Sequence, residues 1–297
     1  MAGKEDTVDF IGIGQGKSGS TWVSECLRQH PNVLFSSEKS RKELKFFCVG
    51  RPWSNYHKGI DWYLEQFPSS ENGKIRGEFC PRYIVDPMAH MKIREHFPGC
   101  KILVTLRNPA DFVYSLYHWE GLSLYFSNYP ERFEDALKLP TFKADFLDQA
   151  FHYKHLMKYY NAFPAENIHV MTLDDIKSRP ATVVRSLFRF LNIDEAFAPT
   201  VINKEINKSK KTKSVHFRNA CALILKLSRR ISYRSYCALN DSDRLHALYE
   251  KINWKRQLYP AMSDRTRRYL SRHFHDDVCR LEDLIQRDLS MWKTVGH

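Results

Sequence analysis

The 297-residue sequence has no apolar run approaching the roughly 18 residues that a bilayer span needs. Its opening residues, MAGKEDTVDF, lack the apolar stretch of a secretory signal. Cysteines are few and badly placed for structural work. Cys26, Cys48, Cys80, Cys100, Cys221, Cys237 and Cys279 are odd in number, scattered, and include no C-x-x-C pair. That argues against a zinc site and against a disulfide framework. These absences together give the expectation of reduced thiols and a cytoplasmic location. There is no internal repeat and no coiled-coil register, so a solenoid is excluded. Acidic residues are in deficit. Asp and Glu number 34 against 46 Lys and Arg, for a formal net charge of +12. Such a chain favours anionic partners. A nucleotide with several phosphates, an acidic polysaccharide, nucleic acid and an anionic membrane all fit, and charge does not choose among them. With 43% apolar residues, the length suits one large α/β domain, or one with an appended lobe.

The most informative stretch runs from Phe10 to Trp22 and reads FIGIGQGKSGSTW. Val8 to Ile13 is a short apolar run of strand type, closed by glycines. Gly14, Gly16 and Gly19 allow a tight turn and a close approach to a ligand. In TWVSECLRQH, residues Trp22, Val23, Cys26 and Leu27 then share one helical face. Strand, glycine-rich loop, helix start: such a loop points N–H groups at one spot beside the positive end of the helix dipole. Lys17 adds a charge, and Ser18, Ser20 and Thr21 add hydroxyls. The reading is a site for a phosphate or sulfate ester, against the plainer one of an ordinary turn. It misses the nucleoside-triphosphatase loop by one residue, because G-x-x-x-x-G-K-[ST] requires glycine where Ile11 stands. Nor does the strand Lys101–Leu106 end in the Asp that would hold Mg²⁺; it ends in Arg107.

Further strands are expected at Asn32–Phe35, Ile75–Phe79 and Asn167–Thr172, with Lys101–Leu106 central and parallel. Helices are expected across Trp53–Phe67, with an aromatic face, and from Asp86-Pro87 to about Phe97, with Pro87 at the first position. Pro109 starts another. A long amphipathic helix is expected over Asp145–Phe163, and others from Pro180 to Leu191 and from Met262-Ser263-Asp264 to about Leu284. His152 and His155, three apart and without a third ligand, read as surface or core histidines. The alternation supports βαβ units. Asn203–Lys213, NKEINKSKKTK, is polar and basic and reads by composition as a charged linker. From Val215 the chain reads as mainly helical.

GQGKSGSTW resembles the 5′-phosphosulfate loop of sulfotransferases that use 3′-phosphoadenosine 5′-phosphosulfate (PAPS). Arg107 to Tyr117, with Ser115 eight residues after Arg107, resembles their 3′-phosphate motif. Lys42-Glu43-Leu44-Lys45-Phe46-Phe47 and Tyr56 to Tyr63 are similar to the matching region of heparan sulfate N- and 3-O-sulfotransferases and their bacterial relatives. The similarity is dense from Val8 to Trp119, and returns weakly at Tyr259-Pro260 and at Arg287–Trp292. The resemblance implies a P-loop-like α/β fold with a central, mainly parallel sheet flanked by helices and a helical C-terminal part. It implies one domain over 1–297: a core at 8–200, a basic cofactor-covering loop at 201–214, and a helical part at 215–297.

It also implies roles. Gly16, Lys17, Ser18, Gly19, Ser20, Thr21 and Trp22 would hold the 5′ end of PAPS, and Arg107 and Ser115 its 3′-phosphate. Lys208, Lys210, Lys211 and Lys213 supply candidates for the covering loop. Glu43 would be the general base, with Lys17 stabilising charge on the leaving phosphate. Lys45, Tyr56, Trp62, Glu78 and Tyr83 would face the acceptor, the last two through a G-E-x-x-P-x-Y pattern. From composition alone, Glu43 reads as a solvated carboxylate, Glu78 as an ion-paired one, and the aromatics as core. The product would be 3′-phosphoadenosine 5′-phosphate (PAP), no metal is implied, and the acceptor would be a glycan or small molecule rather than nucleic acid or a membrane. Oligomeric state does not follow. Phe112 stands where many relatives carry Arg, and Lys45 where heparan enzymes tend to have His or Gln, so the acceptor is less well defined than the cofactor. Two other readings stand beside this one: a P-loop-like nucleotide kinase, and a non-enzymatic polyanion-binding module.

Overall fold

The structure, a computed structural model, describes residues 7–36, 43–51, 53–69, 73–120, 129–130, 132–204, 210–232, 239, 243–256 and 259–293. The chain divides into two compact units. The first comprises Met1–Pro109, Phe151–Ile206 and His273–Thr294, and the second Ala110–Ala150, Asn207–Arg272 and Val295–His297.

The first unit opens with β1 (Phe10–Gly14), α1 (Ser20–Gln29), β2 (Val33–Phe35), α2 (Gly59–Leu64), β3 (Ile75–Phe79), α3 (Ala89–His96) and β4 (Lys101–Leu106). Strand β4 leads into α4 (Pro109–Glu120), most of which belongs to the second unit. The first unit resumes with α5 (His152–Ala162), β5 (Ile168–Thr172), α6 (Leu173–Ser178) and α7 (Pro180–Leu191). The five strands form one sheet in the order β2-β3-β1-β4-β5, and every pairing is parallel. Ile11 lies opposite Glu78 on one side and Ile102 on the other. Parallel pairing therefore brings the carboxyl ends of β3, β1 and β4 to one edge, where α/β sheets bind ligands.

Helices cover both faces, which is why the strands read as continuous apolar runs. On one face, Trp22, Val23 and Leu27 of α1 and Leu187 and Phe188 of α7 enclose Phe10, Phe79 and Leu103. On the other the core is aromatic, with Phe47 at 5.1 Å from Tyr63 and 5.6 Å from Tyr83 between ring centroids. Pro180 opens α7 as expected, and Asn192, with φ of 61°, ends it.

Three helices depart from expectation. Helix α3 begins at Ala89 rather than at Pro87, because the Asp86 side chain accepts from Met88 N (2.9 Å) and Ala89 N (3.0 Å), holding the chain in a cap. The span Asp145–Phe163 is not one helix. A π turn (Lys143–Leu147) and a 3₁₀ turn (Asp148–Ala150) precede a break at Phe151. Helix α5 then starts where the distant Asp277 carboxylate accepts from Tyr153 N and Lys154 N, at 3.0 and 3.2 Å. Trp53–Phe67 contains only the short α2, preceded by a 3₁₀ turn at Tyr56–Lys58.

The second unit carries α4, then β6 (Lys210–Thr212), α8 (Val215–Ile231), α9 (Asp243–Asn253) and β7 (Trp254–Arg256). Helix α10 (Asp264–Ile285) begins in it, and α11 (Ser290–Lys293) belongs to the first unit. Ser214 caps α8 by accepting from Phe217 N at 3.2 Å. Tyr259 stacks on His118 (4.1 Å, 8°), and Pro260 O accepts from the Tyr114 hydroxyl at 2.8 Å. Arg267 pairs with Asp111 at 2.8 Å. The segment expected to be a basic loop is partly strand, since β6 pairs antiparallel with β7 and sets Lys211 opposite Lys255.

Candidate functional site

The glycine-rich loop hangs between β1 and α1. Lys17 takes φ of 62°, an unusual backbone for a lysine, and Gly19 takes φ of 89°. At Gly19 the glycine is required twice, by that φ and by Ile176, which a Cβ would approach to 2.8 Å. At Gly16 neither reason holds. Its φ lies outside the left-handed region, and a Cβ there would meet only Pro81, at 3.9 Å. Among the described residues nothing demands glycine at 16, and the loop there leaves room for a further group. Ser18 is buried and donates to Gly16 O at 3.3 Å. The first helical bond of α1 runs from Val23 N to Gly19 O. The amides just before Val23 thus make no i−4 bond within the helix.

Strand β4 latches this loop. The Thr105 hydroxyl donates to Gly14 O at 2.7 Å, and Gln15 N donates to Thr105 O. Arg107, at the end of β4, reaches back and donates to Lys17 O at 3.4 Å. The two anion motifs, some ninety residues apart in sequence, therefore meet at the ends of adjacent strands. His152 fixes Arg107 from behind. Its ring is fully buried, and its Nε2 lies 2.8 Å from Arg107 O. A carbonyl only accepts, so that nitrogen carries the proton. Burial pushes this histidine down to about 4, which leaves it neutral. It is a core histidine with a positioning task.

The loop bearing Glu43 and Lys45 is fastened to the end of β3. Glu78 accepts from Leu44 N (3.3 Å), from the Tyr63 hydroxyl (2.9 Å) and from the Tyr83 hydroxyl (2.8 Å). Asn55 donates to Leu44 O at 2.8 Å, and Ser54 to Phe46 O at 3.2 Å. Glu43 and Lys45, either side of Leu44, are half-buried. Lys45 has φ of 53°, and its ammonium lies 5.7 Å from the Trp53 ring. Glu78 and Tyr83 are fully buried and bonded to one another. The expectation set them against an acceptor; here both lie beneath the Glu43–Lys45 loop, bonded to Leu44 N and Phe47 N. Burial lifts Glu78 to about 7 against its three hydrogen bonds, and the charge of Glu43 adds to the lift.

Tyr56 and Trp62 are half-buried and pack on Phe46, with centroids at 5.2 and 6.3 Å. Lys58 lies 4.3 Å over Trp62. Trp22 is buried in the core, and its indole donates to Ile202 O at 3.3 Å. Its side chain is thus packing, and only its backbone belongs to the loop. Ser20 is buried and Thr21 half-buried at the start of α1.

The remaining expected residues lie in the second unit. Ser115 is buried in α4, as is Phe112. Lys210 and Lys211 are in β6. Lys213 is exposed and reaches Lys251 O at 3.4 Å. Lys39, Arg41, Lys42 and Lys208 fall outside the described residues.

Sequence reading passed over Thr105, and it took Trp53 only as one of the aromatics of Trp53–Phe67. Thr105 had a signal, as the one hydroxyl inside the apolar run KILVTL. Trp53 is 44% exposed, with Lys45 and Arg82 both over its ring, and only the fold reveals that pairing.

Residues 8–277 match the family described as "Sulfotransferase domain". The chain is 26% identical over 310 residues to a mouse bifunctional heparan sulfate N-deacetylase/N-sulfotransferase 3, covering 96% of this chain and 31% of that protein. It is 35% identical over 114 residues to the membrane-associated sulfotransferase kil1 of Dictyostelium discoideum, covering 37% of this chain and 22% of that protein. The chain therefore spans about a third or less of the length of these curated relatives. A crystal structure of a sulfotransferase from Alicyclobacillus acidocaldarius shares the fold with a TM-score of 0.64 at 20% identity, covering 97% of this chain and 99% of that one.

Proposed function

The chain belongs to the sulfotransferase domain family, and from that footing we propose that it is an enzyme moving a sulfuryl group from PAPS to a hydroxyl or amine of a carbohydrate or small-molecule acceptor. One observation carries the reading. Arg107 and the Lys17 loop meet at the sheet's carboxyl edge, beside a glycine at 16 that no contact among the described residues requires. A basic, amide-lined cradle of this kind fits a ligand with two separated anionic groups.

PAPS, when bound, supplies the activated sulfuryl group and a phosphate leaving group. The chain's own residues do the rest. Lys17 and the amides from Ser18 to Trp22 bind the 5′ phosphosulfate and oppose the charge that grows on the leaving oxygen. Arg107 offers a planar fork for the 3′-phosphate, held in place through its carbonyl by His152. The sequence motif adds Ser115 to that task, and Lys210, Lys211 and Lys213 to the cover. Glu43 takes the acceptor proton, and its loop is set by the Leu44 tether to Glu78. Lys45, Tyr56 and Trp62 line the acceptor side. The test is an acceptor screen with PAPS that follows release of PAP. Acceptor-dependent release supports the reading; turnover of Mg-ATP in place of PAPS would favour a kinase.

A further inference from the structure

Helix α8 is built inside out. Its inward positions include Arg218 and Ser228, each only 8% exposed, while Leu223, Ile224 and Ile231 are 55, 59 and 82% exposed. At 100° per residue, Leu223, Leu227, Ile231, Ile224 and Phe217 fall in one arc of roughly 120°, the width of a helix face that is normally buried. Helix α9 repeats the arrangement. Leu245, Leu248 and Ile252 face outward, and Tyr249 and Asn253 face inward. The two helices adjoin. Phe217, at the edge of the first apolar arc, packs on Tyr249, which lies between Leu245 and Ile252 along α9 (6.2 Å, 14° between rings). The start of α8 and the end of α9 are also pinned together, with Lys213 N donating to Asn253 O (2.6 Å) and Ser214 N to the Asn253 side chain (2.9 Å). Aliphatic residues gathered on one helix face in this way are the mark of an interaction surface.

Charge indicates what covers it. Helix α8 contains no carboxylate, and Lys226 and Arg230 are exposed along one border of its apolar arc. Lys251 is exposed beside the arc of α9. A second copy of this chain, docked face to face, would set the same cations against one another. A negatively charged lipid surface would neutralise them while taking up the aliphatic side chains. Among the described residues no helix is long and apolar enough to cross a membrane, so these helices would lie on it. We propose that the outward face of α8 and α9 is a docking surface for an anionic membrane, in which Leu223, Ile224, Leu227 and Ile231 enter the interfacial layer and Lys226 and Arg230 meet lipid phosphates. This departs from the expectation of a partner set without a membrane.

The test is flotation of the full chain with phosphatidylcholine vesicles, with and without a minority of phosphatidylserine. The wild-type chain should float with the anionic vesicles and hardly at all with the neutral ones. Ile224→Ser combined with Leu227→Ser keeps every charge. It should lower partitioning about tenfold or more, with an unchanged melting temperature. Lys226→Gln combined with Arg230→Gln should weaken binding and flatten its salt dependence. Three results would overturn the proposal. If the serine variant floats as well as wild type, net charge alone binds the lipid. If it melts clearly lower, the face is covered within the chain. If sedimentation shows a dimer that the serine variant abolishes, a second copy covers it.

Discussion

Glu78 is a fully buried carboxylate, answered by two phenols and one amide. Because burial lifts it from the ordinary 4.5 to about 7, the folded chain keeps a proton that the unfolded chain has released across that window. Stability should therefore fall as pH rises from about 4.5 to 7, and the loss should be complete above it. Glu78→Gln removes the titration. Melting temperatures of both proteins at pH 5.5 and pH 8 should show the smaller drop in the variant; equal drops would mean that Glu78 does not titrate there. At the reacting end, Glu43→Gln keeps shape and removes the proton acceptor. Turnover should fall by roughly 10²–10⁴ with PAP affinity nearly unchanged. Lys17→Ala should cut turnover by about 10²–10³ and weaken PAP as well, since the lysine meets the ground-state anion too. A fully active Glu43→Gln protein would end the assignment of Glu43 as base. The strand, glycine-rich loop and helix start at Phe10–Gln29 were readable from the motif. That Glu78 and Tyr83 lie beneath the Glu43 loop was not, because a G-E-x-x-P-x-Y pattern records spacing and says nothing of depth.

Elements were legible where their pattern was one of burial. Strands β1, β2 and β4 stand out as apolar runs because both faces of a parallel sheet are covered, whereas β3 buries Arg76 and Glu78 within it. Strands β6 and β7 escaped notice because Lys210–Thr212 and Trp254–Arg256 lack apolar alternation, and each is defined by the other. The break at Phe151 escaped for a different reason. The apolar period continues across it, and what divides the helix is Asp277, more than a hundred residues away. The anion loop allows a sharper test, since its glycines differ in cause. Gly19→Ala should destabilise the fold by about 1–3 kcal/mol, through both its φ and Ile176. Gly16→Ala should leave the melting temperature within about a degree, because its Cβ clears the chain. It should nevertheless weaken PAP about tenfold or more, because the new methyl stands where a ligand oxygen approaches. An unchanged affinity would remove the loop's amides from the binding site.

For the molecule as a whole, ligand binding and stability are linked. PAP bound at a hundred times its Kd adds about 2.7 kcal/mol to the folded state. A thermal shift assay should show that gain with PAP, much less of it with Mg-ATP, and little of it with PAP in Arg107→Ala. A larger shift with Mg-ATP than with PAP would favour the kinase reading.

The strand order has a consequence in time. Strand β1 is made first, yet its neighbours are β3 and β4, with Phe10 pairing Gly77 on one side and Lys101 on the other. The loop that follows it is latched by Thr105. A nascent chain thus carries its glycine-rich loop early and cannot shape it until β4 has emerged and docked. Pairings between such distant segments are slow steps, because closure entropy is lost before any contact repays it. During refolding, the capacity to bind PAP should accordingly appear late, with the closing of the sheet, and not with the first helix that carries the motif.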